Sequence, residues 1–156
     1  MDRQKQRMTL TAAVAVLVPL AAACGSEQAD GGSGAADGTA RPLTGVRWDV
    51  DSVTVDGRKH PVADGAYLAI GADGTAEGSY GCNGFSAKAT VDGDRVRLTD
   101  ATATERACED RSMAVEQALA RTLTAGPLTS DVDGDHLTLK AADGDTVRLT
   151  GHPDAG

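Results

Sequence analysis

Phe85-Ser86-Ala87-Lys88-Ala89-Thr90-Val91-Asp92-Gly93-Asp94-Arg95-Val96-Arg97-Leu98 decides the fold of this chain. Apolar side chains alternate at Phe85, Ala87, Ala89 and Val91, and again at Val96 and Leu98. Successive side chains of an extended strand point to opposite faces, so each run lays one apolar face on a core. Asp-Gly between two such runs is the strongest short hairpin signal. The same grammar recurs outward in both directions. Eight Asp-Gly dipeptides occur, and six lie between residues 42 and 150, at Asp56, Asp64, Asp73, Asp92, Asp133 and Asp143. Period-2 runs flank them at Val46, Trp48 and Val50; Ala66, Leu68 and Ile70; Leu137 and Leu139; and Val147 and Leu149. These read as half-buried antiparallel strands. Gly78 and Gly81 bracket Tyr80 and predict a bulge or sharp bend before Cys82.

One segment breaks the alternation. Asp110 to Thr124 contains no Gly or Pro, and Val115, Leu119 and Leu123 recur at four-residue spacing with Ala118 and Thr122 beside them. That is the apolar stripe of an amphipathic helix. Asp110 or Ser112 is the expected cap, Gly126 and Pro127 the stop, and Glu116, Gln117 and Arg121 the expected water-facing residues. A lone helix buries such a stripe against the concave side of a sheet. The fold class is therefore mainly β (α+β): a curved antiparallel sheet or partial β-barrel packed around one amphipathic helix.

The N-terminus reads as an address. Arg3, Lys5 and Arg7 precede a charge-free stretch from Met8 to Leu20, which runs into Ala21-Ala22-Ala23 and Cys24. Basic, apolar, then small residues before a cysteine is the layout of a lipoprotein export signal. Thirteen residues are too few for a bilayer span, which needs about 20 in a helix. A plain secretory signal cut after Ala23 is the alternative. Residues 1–23 are expected to be the signal. Lipidated Cys24 and a Gly/Ala/Ser/Asp-rich linker follow over 24–41, the folded domain over 42–150, and a tail over 151–156. Membrane lipid, reached through acylated Cys24 on the extracytoplasmic face, is the first expected partner; several acyl chains are needed for firm anchorage. The linker lacks large apolar residues and has a flexible reach on the order of 20–25 Å.

Of three cysteines, assigning Cys24 to lipid leaves Cys82 and Cys108. In an exported chain these are expected to pair, closing a loop of 27 residues and contributing roughly 3–4 kcal/mol. Two free thiols are the alternative, although no histidine lies within a few residues of either to form a ligand set or a nucleophile–base pair. The full-length net charge is −8. Removing the signal takes away three basic residues and one acidic, leaving 12 basic, 22 acidic and a net charge of −10. Such a balance argues against binding nucleic acid or anionic headgroups, both of which use a basic patch. Aromatic residues make up 3% of the chain, so Val, Leu and Ala must build the core around Trp48, Tyr67, Tyr80 and Phe85.

Gly78-Ser79-Tyr80-Gly81-Cys82-Asn83-Gly84-Phe85, Thr104-Glu105-Arg106-Ala107-Cys108 and Glu116-Gln117-Ala118-Leu119-Ala120-Arg121-Thr122-Leu123 together resemble the META domain of HslJ-like heat-shock lipoproteins. The resemblance extends over the folded region. It implies a compact β-barrel-like fold around a helix, a place in the cell envelope, and links to heat shock, antibiotic tolerance or surface processes. The chain departs from the family pattern at Ala87, where glycine is usual, and at Glu105, where a basic residue is usual. Both departures weaken the transfer of any site, while the fold, which rests on the cysteine spacing and hydrophobic pattern, still transfers.

Asn83 and Arg106, the polar residues nearest the cysteines, and Glu116 on the helix are the candidate binding residues. The plain alternatives are a turn-forming Asn83 bonding its own backbone, an Arg106 paired with a nearby acid, and a solvated Glu116. Asp131, Asp133 and Asp135 resemble the start of a calcium loop, but His136 stands where that loop needs glycine and Ala142 where it needs glutamate. No nucleophile–base spacing, phosphate loop or dinucleotide fingerprint occurs, so no catalytic residue, metal or cofactor is expected. The expected function is a non-enzymatic envelope lipoprotein with a stress or cell-surface binding role. The alternative is a small-ligand or protease-inhibitor-like module whose pocket would be lined by Trp48, Tyr67 and Phe85, gripping a small hydrophobic ligand or an envelope protein.

Overall fold

The computed structural model describes residues 41–62 and 64–152. The expected signal, Cys24, the linker up to residue 40 and the last four residues of the tail lie outside them. Nine strands and one helix follow in order: β1 (Arg47–Val55), β2 (Arg58–Pro61), β3 (Tyr67–Ile70), β4 (Thr75–Ser79), β5 (Gly84–Asp92), β6 (Arg95–Ala103), α1 (Asp110–Thr124), β7 (Pro127–Asp133), β8 (His136–Lys140) and β9 (Thr146–His152).

Eight of the strands close an antiparallel barrel, β1-β3-β4-β5-β6-β7-β8-β9, with β9 returning to β1 from Arg47↔His152 to Thr54↔Thr146. β2 lies outside the circuit. It pairs with the second half of β1 (Ser52↔Pro61 to Val55↔Arg58), while β3 takes the first half (Arg47↔Ala69 to Asp49↔Tyr67). The expected partial barrel is thus fully closed, which leaves β2 as the edge strand among the described residues.

Asp-Gly pairs mark the turns as expected. Asp56 and Gly57 both have positive φ (50° and 74°), the backbone that a two-residue hairpin loop requires. In two other hairpins aspartate is the last strand residue, and the loops are Gly93-Asp94 and Gly134-Asp135. The alternating residues face inward, except Val91 near the end of β5, which is exposed. Trp48, Leu68, Val96, Leu128, Leu139 and Leu149 are almost entirely buried, joined from the helix by Leu119 and Leu123. Among the described residues no helix is long and apolar enough to cross a membrane.

Two boundaries shift. β9 continues through Gly151, which is buried, and His152, so residues assigned to the tail belong to the barrel. Arg41, assigned to the linker, pairs with Asp135 in the β7–β8 turn. The bend before Cys82 is a true reversal between β4 and β5, with Tyr80 N–H donating to Asn83 O at 2.8 Å.

Gly78 has a packing role. A Cβ there would strike Tyr67 O and come within 2.6 and 2.8 Å of the Phe85 ring. Neither neighbour can give way, because one is strand backbone and the other a ring held by Tyr80. Gly78→Ala is expected to destabilise by about 2–3 kcal/mol, read as a lower urea midpoint. An unchanged midpoint would show that the β3–β4–β5 packing is looser than described.

Candidate functional site

The helix begins and the β4–β5 turn reverses at the same place, and Asn83 joins them. Asn83 is 2% exposed, and its side chain uses all four of its bonding positions. Oδ1 accepts from Arg106 N–H at 2.7 Å and from Thr104 Oγ1 at 2.9 Å. Nδ2 donates to Glu116 Oε1 at 2.6 Å and to Arg106 O at 3.2 Å. The Asn83 backbone N–H donates to Glu116 Oε2 at 2.9 Å, so both carboxylate oxygens are satisfied by one residue. The backbone amide of Arg106, which can only donate, fixes which way the Asn83 amide points.

Three expectations are corrected here. Asn83 is not a turn residue bonding its own backbone, and its φ is not positive; it is a buried hub between three segments. Glu116 does not face water. It is 8% exposed, because it lies three and seven residues before Leu119 and Leu123 and so shares their face. Arg106 takes part through its backbone alone: its side chain is exposed, and among the described residues no carboxylate pairs with it.

Cys82 and Cys108 are joined by a disulfide, with Cα atoms 6.4 Å apart, inside the usual range for such a bridge. The bridge ties the β4–β5 turn to the segment leading into α1. Tyr80 stacks on Phe85 with ring centroids 4.2 Å apart and planes 9° from parallel. Burial raises the Tyr80 phenol above its usual pKa, and the nearby Glu116 carboxylate pushes the same way.

Beside the bridge lies a cleft of about 260 Å³. Pro61, Val62 and Asp64 line it from the β2 side, Tyr80, Gly81 and the disulfide from the β4–β5 turn, and Arg111, Ser112 and Val115 from α1. The pocket expected from Trp48, Tyr67 and Phe85 does not form. Trp48 is wholly buried and donates its indole N–H to Leu43 O at 3.1 Å. Tyr67 lies under the Arg47 guanidinium, 3.8 Å from its centroid, and Phe85 is covered by Tyr80. The barrel interior is filled by side chains, and the cleft is on its outside.

The starting cap is also different. Glu109 occupies the N-cap position of α1 and makes no side-chain bond to the first turn, whereas Asp110 or Ser112 was expected to cap it. Among the described residues no three His, Cys, Asp or Glu side chains come together as a metal site. Asp135 is engaged with Arg41, and His152 Nε2 lies 3.3 Å from Asp49 Oδ2.

Comparison with curated proteins gives no match. Two solved structures share the fold. One, described as the NMR structure of the protein from Burkholderia xenovorans, is 21% identical with a TM-score of 0.59, covering 70% of this chain and 83% of that one. The second, also an NMR structure, is 19% identical with a TM-score of 0.52, covering 67% of this chain and 88% of its own. The META domain model matches residues 41–154, a span that takes in Arg41, the whole barrel, both bridged cysteines and the Asn83 hub. The chain therefore belongs to the META domain family.

Proposed function

We propose that this chain is a membrane-anchored lipoprotein on the extracytoplasmic face, serving a non-enzymatic binding role in envelope stress or at the cell surface. The observation that carries the reading is the Cys82–Cys108 disulfide. Bridges of this kind persist in oxidising compartments, which agrees with an export signal ending at Cys24. Three cysteines then divide into one for lipid and two for the fold. The linker supports the reading as well, since it lets a small acidic domain stand clear of the headgroups.

The filled barrel favours recognition at the surface over a ligand held in the lumen. The cleft beside the disulfide is the place we assign to binding. Its largely apolar lining and the charged side chains Asp64 and Arg111 within it suit a small amphipathic group, either a free compound or a side chain presented by an envelope protein.

Mass spectrometry of the membrane fraction is expected to find a diacylated or triacylated peptide beginning at Cys24, and Cys24→Ala is expected to move most of the protein to the soluble fraction. Recovery of the intact signal, or of unmodified Cys24, would refute anchorage. Envelope pull-downs with the anchored protein and with an Arg111→Ala, Val115→Ala variant test the cleft: equal capture of every partner by both would rule it out as the binding surface.

A further inference from the structure

We propose that the Cys82–Cys108 disulfide is a redox gate on the cleft; the idea rests on the cleft being the binding site. The argument comes from how unevenly the segment before and into α1 is held. Arg106 is fixed through its backbone N–H and carbonyl to Asn83, and Glu116 through both oxygens to the same residue. Between these two anchors, residues 107–115 contribute no fully buried side chain: Met113 and Val115 are half-buried, Val115 against the core, and the rest are exposed. The first turn of the helix has no side-chain cap at Glu109. The disulfide at Cys108 is the covalent restraint on this stretch, and Cys108, Arg111, Ser112 and Val115 supply one wall of the cleft.

An uncapped first turn without a fully buried side chain opens at low free-energy cost once its clamp is gone. Asn83 and Glu116 limit the opening to the span between them, so the barrel and the rest of α1 stay closed. The reaction needs a dithiol reductant, either small or a protein. Its thiolate attacks Sγ of Cys108, the exposed partner, and Cys82 leaves as a thiolate that takes up a proton. The reductant's second thiol resolves the mixed disulfide and releases Cys108 as a thiol. Two electrons and two protons pass to the protein, and the reductant ends as its own disulfide.

Hydrogen exchange on the whole chain, with and without dithiothreitol, tests the gate. Reduction is expected to speed exchange at Met113, Ala114 and Val115 at least tenfold, while Asn83, Arg106 and Leu119 to Leu123 keep their protection, and reoxidation is expected to restore the first set. A Cys82→Ser, Cys108→Ser double variant should reproduce the reduced pattern without reductant. An anilinonaphthalene sulfonate dye should bind the oxidised chain at least threefold more tightly than the reduced one. Unchanged exchange, cooperative loss of protection across the barrel, or equal dye affinity in both forms would each overturn the gate. Failure of the dye to bind the oxidised chain at all would remove the cleft reading instead, and the gate with it.

Discussion

Asn83→Asp is expected to be at least as damaging as Asn83→Ala, and Asn83→Ala to cost about 3 kcal/mol. Alanine leaves the Arg106 amide and the Thr104 hydroxyl without their acceptor, and takes a charge-assisted bond from the buried Glu116 carboxylate. Aspartate keeps the acceptor but turns a second oxygen toward Glu116 Oε1, where Nδ2 now sits 2.6 Å away, so two carboxylates would share one buried site. Turn chemistry makes the opposite forecast, because aspartate serves turns about as well as asparagine. Urea midpoints of the oxidised variants therefore discriminate, and an Asp variant close to wild type would sink the hub. Glu116→Gln is the graded control. One of its two positions becomes an N–H₂ facing an Asn83 donor, for an expected loss of about 1–2 kcal/mol.

Trp48→Ala is expected to cost about 3–5 kcal/mol, the range for removing a large aromatic from a packed core. Trp48 is fully buried, its ring would collide with any side chain at position 151, and its indole N–H anchors Leu43 just before β1. A cavity left there adjoins both β1 and β9, the strands that close the barrel. Urea titration followed by circular dichroism measures the effect, since the variant lacks the chain's one tryptophan. A loss below about 1 kcal/mol would mean that the core collapses to refill the space. Trp48→Phe should fall between, keeping much of the volume but leaving Leu43 O unpaired.

The strands that were legible in the sequence are those with large inward side chains. β1, β3, β6, β8 and β9 carry Val, Leu, Ile or Trp at alternate positions, and β5 opens on Phe85 and continues the alternation with Ala87 and Ala89. β4 does not: its inward residues are Ala76 and Gly78, and at Gly78 the Phe85 ring and Tyr67 backbone occupy the space a side chain would need. β2 reads Arg58-Lys59-His60-Pro61 and has no inward residue to signal, since it lies beside the barrel circuit. β7 starts on Pro127 and buries Leu128 alone. The bounds of the helix were legible to the residue, because they follow from periodicity and the absence of Gly and Pro, while its cap and the burial of Glu116 were not.

The site was only half legible. Proximity to the cysteines pointed to Asn83, but bonds to Thr104 and Arg106 depend on the bridge and on the course of β6 into α1. Glu116 shows how charge misleads when it is weighed above phase. Its position on the Leu119–Leu123 face was already present in the spacing, and a buried carboxylate there implied a waiting donor. The Arg106 contribution left no trace in the sequence, because any non-proline residue supplies the same backbone N–H and carbonyl.

β1 and β9, the first and last strands, register along nearly their whole length, while the β6–β7 seam is held by three residue pairs. The barrel is thus locked by residues roughly a hundred positions apart, a topology of high contact order. A nascent chain that has not yet reached β9 has no partner for one side of β1, so the barrel cannot close before that strand is made. Until then the emerging polypeptide is a ribbon of hairpins, and the seam between its two ends is the last part to set.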